Sequence, residues 1–159
     1  MERLITKFLF FGLLAVGCLV SRAQVKEVSE DEISINILKW HFHHYPQSTS
    51  NVWKVINDGK LFESDFIFED KAYYVTYSAK GKVLTEVVDL SDEVPVALLA
   101  QLDEQYEKYK VNNFERITNF ADETIFYKLE IKSKENGQEE LNFDKDLIPI
   151  NFNVLSKAN

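Results

Sequence analysis

Cysteine is nearly absent. Cys18 is the only one in 159 residues, which excludes an internal disulfide framework and any zinc site built on cysteine. Five glycines and three prolines are too few for a collagen-like or linker-rich chain. Basic residues number 18 against 26 acidic, a formal charge of −8, so the chain lacks the cationic face that nucleic acids require. Catalytic signatures are missing too: there is no G-x-S-x-G elbow, no H-E-x-x-H pair and no glycine-rich phosphate loop. What remains is 45% hydrophobic and 13% aromatic, too apolar for a disordered chain and sized for one domain, or one domain built from two halves.

Residues 1–23 read as an export leader. Arg3 and Lys7 form a short positive region, residues 8–20 an uncharged apolar run, and Ser21-Arg22-Ala23 a small-residue cleavage junction before Gln24. That apolar run is short for spanning a bilayer. Leu14-Ala15-Val16-Gly17-Cys18 loosely matches a bacterial lipobox, so a lipid anchor at Cys18 is the alternative to a soluble product. Cleavage after Ala23 is the cleaner match and predicts a periplasmic or secreted protein. The leader takes with it Arg3, Lys7, Arg22 and Glu2, leaving 15 basic against 25 acidic residues, a net charge of −10. Such a chain repels anionic lipid and nucleic acid and keeps no transmembrane segment.

After a lead-in at 24–30, Ser29 and Glu32 have capping-box spacing, and Ile35, Leu38, Phe42 and Tyr45 recur at helical intervals. The predicted helix runs over 31–44 and stops before Pro46. Strand patterns follow at 52–56, 61–68, 73–77 and 83–88, with turns at Asp58-Gly59 and Lys80-Gly81. A second helix opens near Glu93, with Pro95 in its first turn and Pro95, Leu98, Leu99, Leu102 and Tyr106 as its buried stripe. Strands at 113–120, 124–132 and 139–143 complete the pattern, the last two joined at Asn136-Gly137.

Residues 73–77 align with 125–129, and Gly81 falls near Gly137. The expectation is an α+β fold: a tandem αβββ-type repeat, halves 31–90 and 91–146, with two helices packed on one face of an antiparallel sheet. The spaced set Phe42-x-x-Tyr45-Pro46, Val52-Trp53, Tyr73-x-Val75-x-Tyr77, Gly81-Lys82-Val83-Leu84, Val94-Pro95, Tyr106 and Tyr109 resembles the PepSY-like, β-lactamase-inhibitor-like family of small exported proteins found mostly in the Bacteroidota. The resemblance spans residues 33–146 and implies a fold, with helices backing an antiparallel sheet. It does not carry inhibition of a β-lactamase. Residues 147–159 extend beyond it, and the alternation of Ile150, Phe152 and Val154 suggests an added edge strand with Pro149 at its start.

Chemistry-bearing residues are sparse. His41 and His44 lie three apart on the first helix, along with His43, and are a weak metal alternative; a polar helix end is the simpler account. Paired carboxylates such as Asp31/Glu32, Asp103/Glu104 and Glu139/Glu140 suit solvated surface better than acid–base work. No catalytic residue and no cofactor are expected. Alternation puts Tyr73, Val75, Tyr77, Ile125, Tyr127 and Leu129 beneath the helices, and Tyr74, Thr76, Phe126 and Lys128 on the opposite face with Glu63 and Asp65 nearby. Those six form the candidate partner-binding set of a non-enzymatic module, its partner a protein or peptide of the cell envelope. The alternative is a small-ligand or metal-binding protein using the His-rich helix end.

Overall fold

The computed structural model describes residues 25–150. The leader, Cys18 and its lipobox, the Ala23/Gln24 junction, Phe152 and Val154 all lie outside the described residues. In chain order the elements are β1 (Val25–Val28), α1 (Ile35–His44), β2 (Thr49–Ile56), β3 (Leu61–Phe68), β4 (Lys71–Ser78), β5 (Val83–Asp89), α2 (Val96–Gln105), β6 (Tyr109–Asn119), β7 (Thr124–Ser133) and β8 (Gly137–Asp144). One-turn 3₁₀ helices at Glu30–Glu32 and Ser91–Glu93 precede α1 and α2. Spatial order equals chain order: all eight strands form one sheet, each antiparallel to the next.

This overturns the expected α+β architecture. The body is a single eight-stranded sheet, not a tandem αβββ repeat with helices packed as a layer on one face. Physical size is the reason. A ten-residue helix is about 15 Å long, whereas seven inter-strand spacings make a sheet about 34 Å across. Each helix therefore seats over its own patch. The halves are also unequal, since β1 and four further strands precede α2 and only three follow it. Gly81 and Gly137 both take positive φ at hairpin turns, but their surroundings differ: a Cβ on Gly81 would stand 3.0 Å from Cβ of Asn36 at the start of α1, while Gly137 faces open space.

Two buried clusters result. Under α1 lie Ile33, Ile37, Tyr45, Trp53, Phe66, Val75, Tyr77 and Val83; under α2 lie Leu98, Leu102, Phe114, Leu129, Ile131 and Phe143. Full burial of a side chain such as Leu129 contributes roughly 1.5–3 kcal/mol. Ile125, expected in this set, is 41% exposed, and Tyr73 and Tyr127 are half-buried.

The first helix starts later and is rotated relative to expectation. Ser29 and Glu32 cap the 3₁₀ turn, where the Ser29 N–H donates to Glu32 Oε1 at 3.3 Å. Ser34 then caps α1 by accepting from the Ile37 N–H at 3.4 Å. Starting there, the helix buries Ile37, His41 and, just past its end, Tyr45, four residues apart. Ile35 is left 62% exposed and Phe42 stands at the surface. The second helix holds its predicted stripe at Leu98 and Leu102, with Pro95 as N-cap in place of a first-turn residue.

A cross-strand pair in the core gives the first prediction. Trp53 faces Ser64 across β2 and β3, and neither Trp53 Nε1 nor Ser64 Oγ has a hydrogen-bond partner among the described atoms. A buried hydroxyl without a partner costs about 1–3 kcal/mol. Ser64→Ala is therefore expected to leave stability in urea unchanged or raise it by about 1 kcal/mol. A loss of similar size would show that the hydroxyl is used.

Beyond β8 the chain doubles back. Asp144 N–H donates to the Ile148 carbonyl at 2.9 Å, Ile150 N–H to the Asn142 carbonyl at 2.7 Å, and Phe143 bridges to Pro149.

Candidate functional site

Strand register decides which of the candidate side chains meet. Asp65 pairs with Tyr74, Tyr74 with Val87, Val87 with Ile117, Ile117 with Phe126, and Phe126 with Asp144. These six form one row at right angles to six consecutive strands, on the side of the sheet opposite the buried clusters. Directly opposed residues on one face bring their Cβ atoms within about 5.5 Å. Tyr74 and Phe126 are thus the ends of a continuous apolar row, with Val87 and Ile117 filling the interval. Tyr74 is 39% exposed, and Val87, Ile117 and Phe126 are half-buried. Nearby on the same face, Val52 pairs with Asp65 and Ile67 with Ala72; Val52 and Ile67 are both exposed.

Two ion clusters flank the row. On the Tyr74 side, Lys54 on β2 bonds Asp65 and reaches Glu63 at 3.1 Å. Burial alone would lower the Lys54 pKa, but the hydrogen bonds to Asp65 and Glu63 outweigh it and hold it above the ordinary lysine value. On the Phe126 side, Lys128 bonds Glu115 at 2.7 Å and lies 3.7 Å from Glu130. That bond to Glu115 raises the Lys128 pKa against a smaller opposing effect of burial. Each lysine thus stays charged and faces two carboxylates, so each cluster carries net negative charge. These pairs are half-buried and only partly screened by water, and their main consequence for a partner is the sign of the local field.

Sequence reasoning placed Tyr74, Thr76, Phe126 and Lys128 on one face with Glu63 and Asp65 nearby; strand register separates them, with Tyr74, Glu63 and Asp65 toward one end and Phe126 and Lys128 toward the other. Thr76 sits one row over, paired with Glu63 and Thr85. Missing from that reading were Val87 and Ile117, which join the ends, and Lys54 and Glu115, which complete the clusters. Val87 was hidden because adjacent Val87 and Val88 give no preference between the two faces.

The histidines do not converge. His41 is fully buried, with Nδ1 3.0 Å from the Tyr77 hydroxyl and Nε2 3.2 Å from Ser48 Oγ and 3.3 Å from Asn51 Oδ1. Because Asn51 Oδ1 only accepts, Nε2 carries the proton and Nδ1 accepts from Tyr77. Burial pushes the His41 pKa down from 6.5 to about 4, against a smaller raising effect of the Asn51 bond. His44 points away, stacked on Trp40 at 3.9 Å with Nδ1 against the Trp40 carbonyl. Among the described residues no group of three His, Cys, Asp or Glu is placed to hold a metal ion.

A second polar network lies on the clustered side between the helices. Glu86 accepts from the Tyr45 hydroxyl and, at 3.2 Å, from Arg116 Nη2. Burial and then the Glu86 bond drive the Tyr45 pKa far up, so its hydroxyl remains a donor. A hollow of about 430 Å³ opens elsewhere, between α2 and β8, lined by Leu98, Leu102, Leu141, Phe143 and Pro149. It contains none of the candidate residues and gathers a single carboxylate, Glu140, with no base or nucleophile beside it.

No family model matches the chain, and no curated protein matches it. Solved structures do. A BLIP-like protein from Bacteroides fragilis is 16% identical with a TM-score of 0.62, covering 75% of this chain and 84% of that one. A DUF2874 family protein from Bacteroides uniformis is 16% identical with a TM-score of 0.62, covering 74% and 86%. A protein from Bacteroides eggerthii, provisionally described as periplasmic, is 13% identical with a TM-score of 0.63, covering 75% and 86%. At these identities the likeness is one of fold. The chain has the fold of the BLIP-like proteins, in line with the inhibitor-like resemblance of the sequence; the PepSY-like part of that label is not confirmed.

Proposed function

We propose that this protein is an exported, non-enzymatic binding module that holds a partner protein or peptide of the cell envelope on the open face of its sheet. The observation that carries the reading is the in-register apolar row Tyr74–Val87–Ile117–Phe126 between two acid-rich clusters. Aromatic side chains set among polar neighbours are favoured anchors of protein interfaces. Support for export comes from the leader at residues 1–23, with cleavage after Ala23. The likeness to BLIP-like proteins and to one described as periplasmic agrees with a module that restrains a partner outside the cytoplasm.

Capture from an envelope extract by the wild-type protein and by Tyr74→Ala/Phe126→Ala tests the face. Loss of two interface anchors is expected to cost roughly 2–4 kcal/mol of binding and so to abolish capture, with the melting temperature little changed. Capture should also fall as salt rises, because the face is acidic. Equal capture by the double variant rejects the face.

A further inference from the structure

We infer that the occupant of this face is an amphipathic helix, laid across the strands, with a lysine or arginine at each end. The inference rests on the reading of the face as a binding surface and concerns only what binds there. Its basis is the spacing and charge order of one row: Asp65, Tyr74, Val87, Ile117, Phe126, Asp144. The row is four apolar residues bracketed by two carboxylates.

Spacing selects a helix. Neighbouring strands lie about 4.8 Å apart, so apolar side chains recur at that interval along the row. One helical turn advances about 5.4 Å, so residues three or four apart in a partner helix meet almost one strand each. An extended partner crossing the row presents same-side residues every 6.6 Å or so and falls a full strand out of step within three of them. From Tyr74 to Phe126 is three spacings, about 14 Å, which a helix covers in roughly ten residues.

Charge order selects the ends. Beyond Tyr74 stands Asp65, one oxygen bonded to Lys54 and the other buried, with Glu63 one row over sharing that lysine; opposite Phe126 stands Asp144, one oxygen of which accepts from the Asp146 and Ile148 N–H groups, with the Lys128–Glu115 pair one row over. Each end has more carboxylate than ammonium. From Asp65 to Asp144 is five spacings, about 24 Å or some sixteen helical residues, which sets the separation of the two cations.

Three synthetic peptides of about eighteen residues serve as probes against the full chain, followed by fluorescence anisotropy and circular dichroism. The first carries leucines one turn apart and lysines at both ends. In the second the same residues are rearranged to alternate, as a strand would. The third replaces the terminal lysines with glutamates. The first is expected to bind about tenfold or more tighter than either of the others and to gain helicity on binding, and Asp65→Asn/Asp144→Asn should weaken it and reduce its salt dependence. If the alternating or glutamate-ended peptide binds equally well, or the first does not bind, the inference is overturned. Because that comparison uses the wild-type protein, it does not depend on a variant folding. The two readings fail separately. Insensitivity of every bound peptide to Tyr74→Ala/Phe126→Ala removes the open face itself, whereas sensitivity without preference for the first peptide removes only the helical, cationic occupant.

Discussion

Glu86→Ala is expected to lower the unfolding free energy by about 2 kcal/mol, read as a shift of the urea midpoint at unchanged slope. The carboxylate sits on β5, where the two halves of the sheet meet. It holds Tyr45, just past the end of α1, with one oxygen and Arg116 on β6 with the other. Its side chain is 14% exposed, so water is poorly placed to replace it. Truncation leaves a buried phenol without its acceptor, while the Arg116 side chain, 37% exposed, can turn to water. The unpaired phenol accounts for most of the loss. Glu86→Gln keeps an acceptor for the Tyr45 hydroxyl and is expected to cost about 1 kcal/mol. A loss below about 1 kcal/mol for the alanine variant would show that the halves are held together by apolar burial and strand pairing alone.

Mild acid should have the second large effect, through His41. The folded protein holds the ring neutral, with its pKa lowered from 6.5 to about 4 by burial among Tyr45, Trp53, Phe66 and Tyr77. Between those two values the unfolded chain binds a proton that the folded chain refuses, so the free energy of unfolding falls as pH falls. The contribution is intact above 6.5, is lost progressively on acidification, and is gone near 4. Its full size is about 3 kcal/mol, because each tenfold change in proton affinity is worth about 1.4 kcal/mol. Carboxylates titrate toward the lower end of this range, so the informative measurement is the difference between the wild type and His41→Gln. Between about pH 7 and pH 5 the wild type should lose roughly 2 kcal/mol more than the variant. Parallel pH profiles would mean that His41 stays neutral in both states or is solvated when folded.

How far such features can be read from residues alone varies along the chain. The strand Leu61–Phe68 was legible in full, because Phe62, Phe66 and Phe68 alternate with Glu63 and Asp65. Its turn into β4 was not. Glu69 and Asp70 both take positive φ, a conformation usually signalled by Asn-Gly, and neither residue advertises it. β1 went unseen since four residues at a sheet edge make too short a pattern, with only Val28 partly covered. β6 starts at Tyr109, earlier than expected, because a register shift between Val111 and Asn113 breaks the alternation that marks a strand. The apparent duplication misled for a related reason: a helix followed by hairpins recurs in many folds, and short local likeness says nothing about strand count or layer thickness.

What the sequence determined by itself is membership of a face. A strand turns its side chains over every second residue, so Tyr74 and Thr76 were bound to share a side opposite Val75, wherever β4 lay. The same holds for Phe126 and Lys128 against Leu129. Tertiary structure alone decided everything that depends on a distant partner. Register across β4, β5, β6 and β7 placed Val87 and Ile117 between Tyr74 and Phe126, and the rotation of α1 sent His41 inward to a hydroxyl 36 residues away. Local periodicity is set by backbone geometry within a few bonds. Pairing across strands and the burial of a polar ring are set by which long-range contacts satisfy the most groups at once, and no window of the sequence contains them.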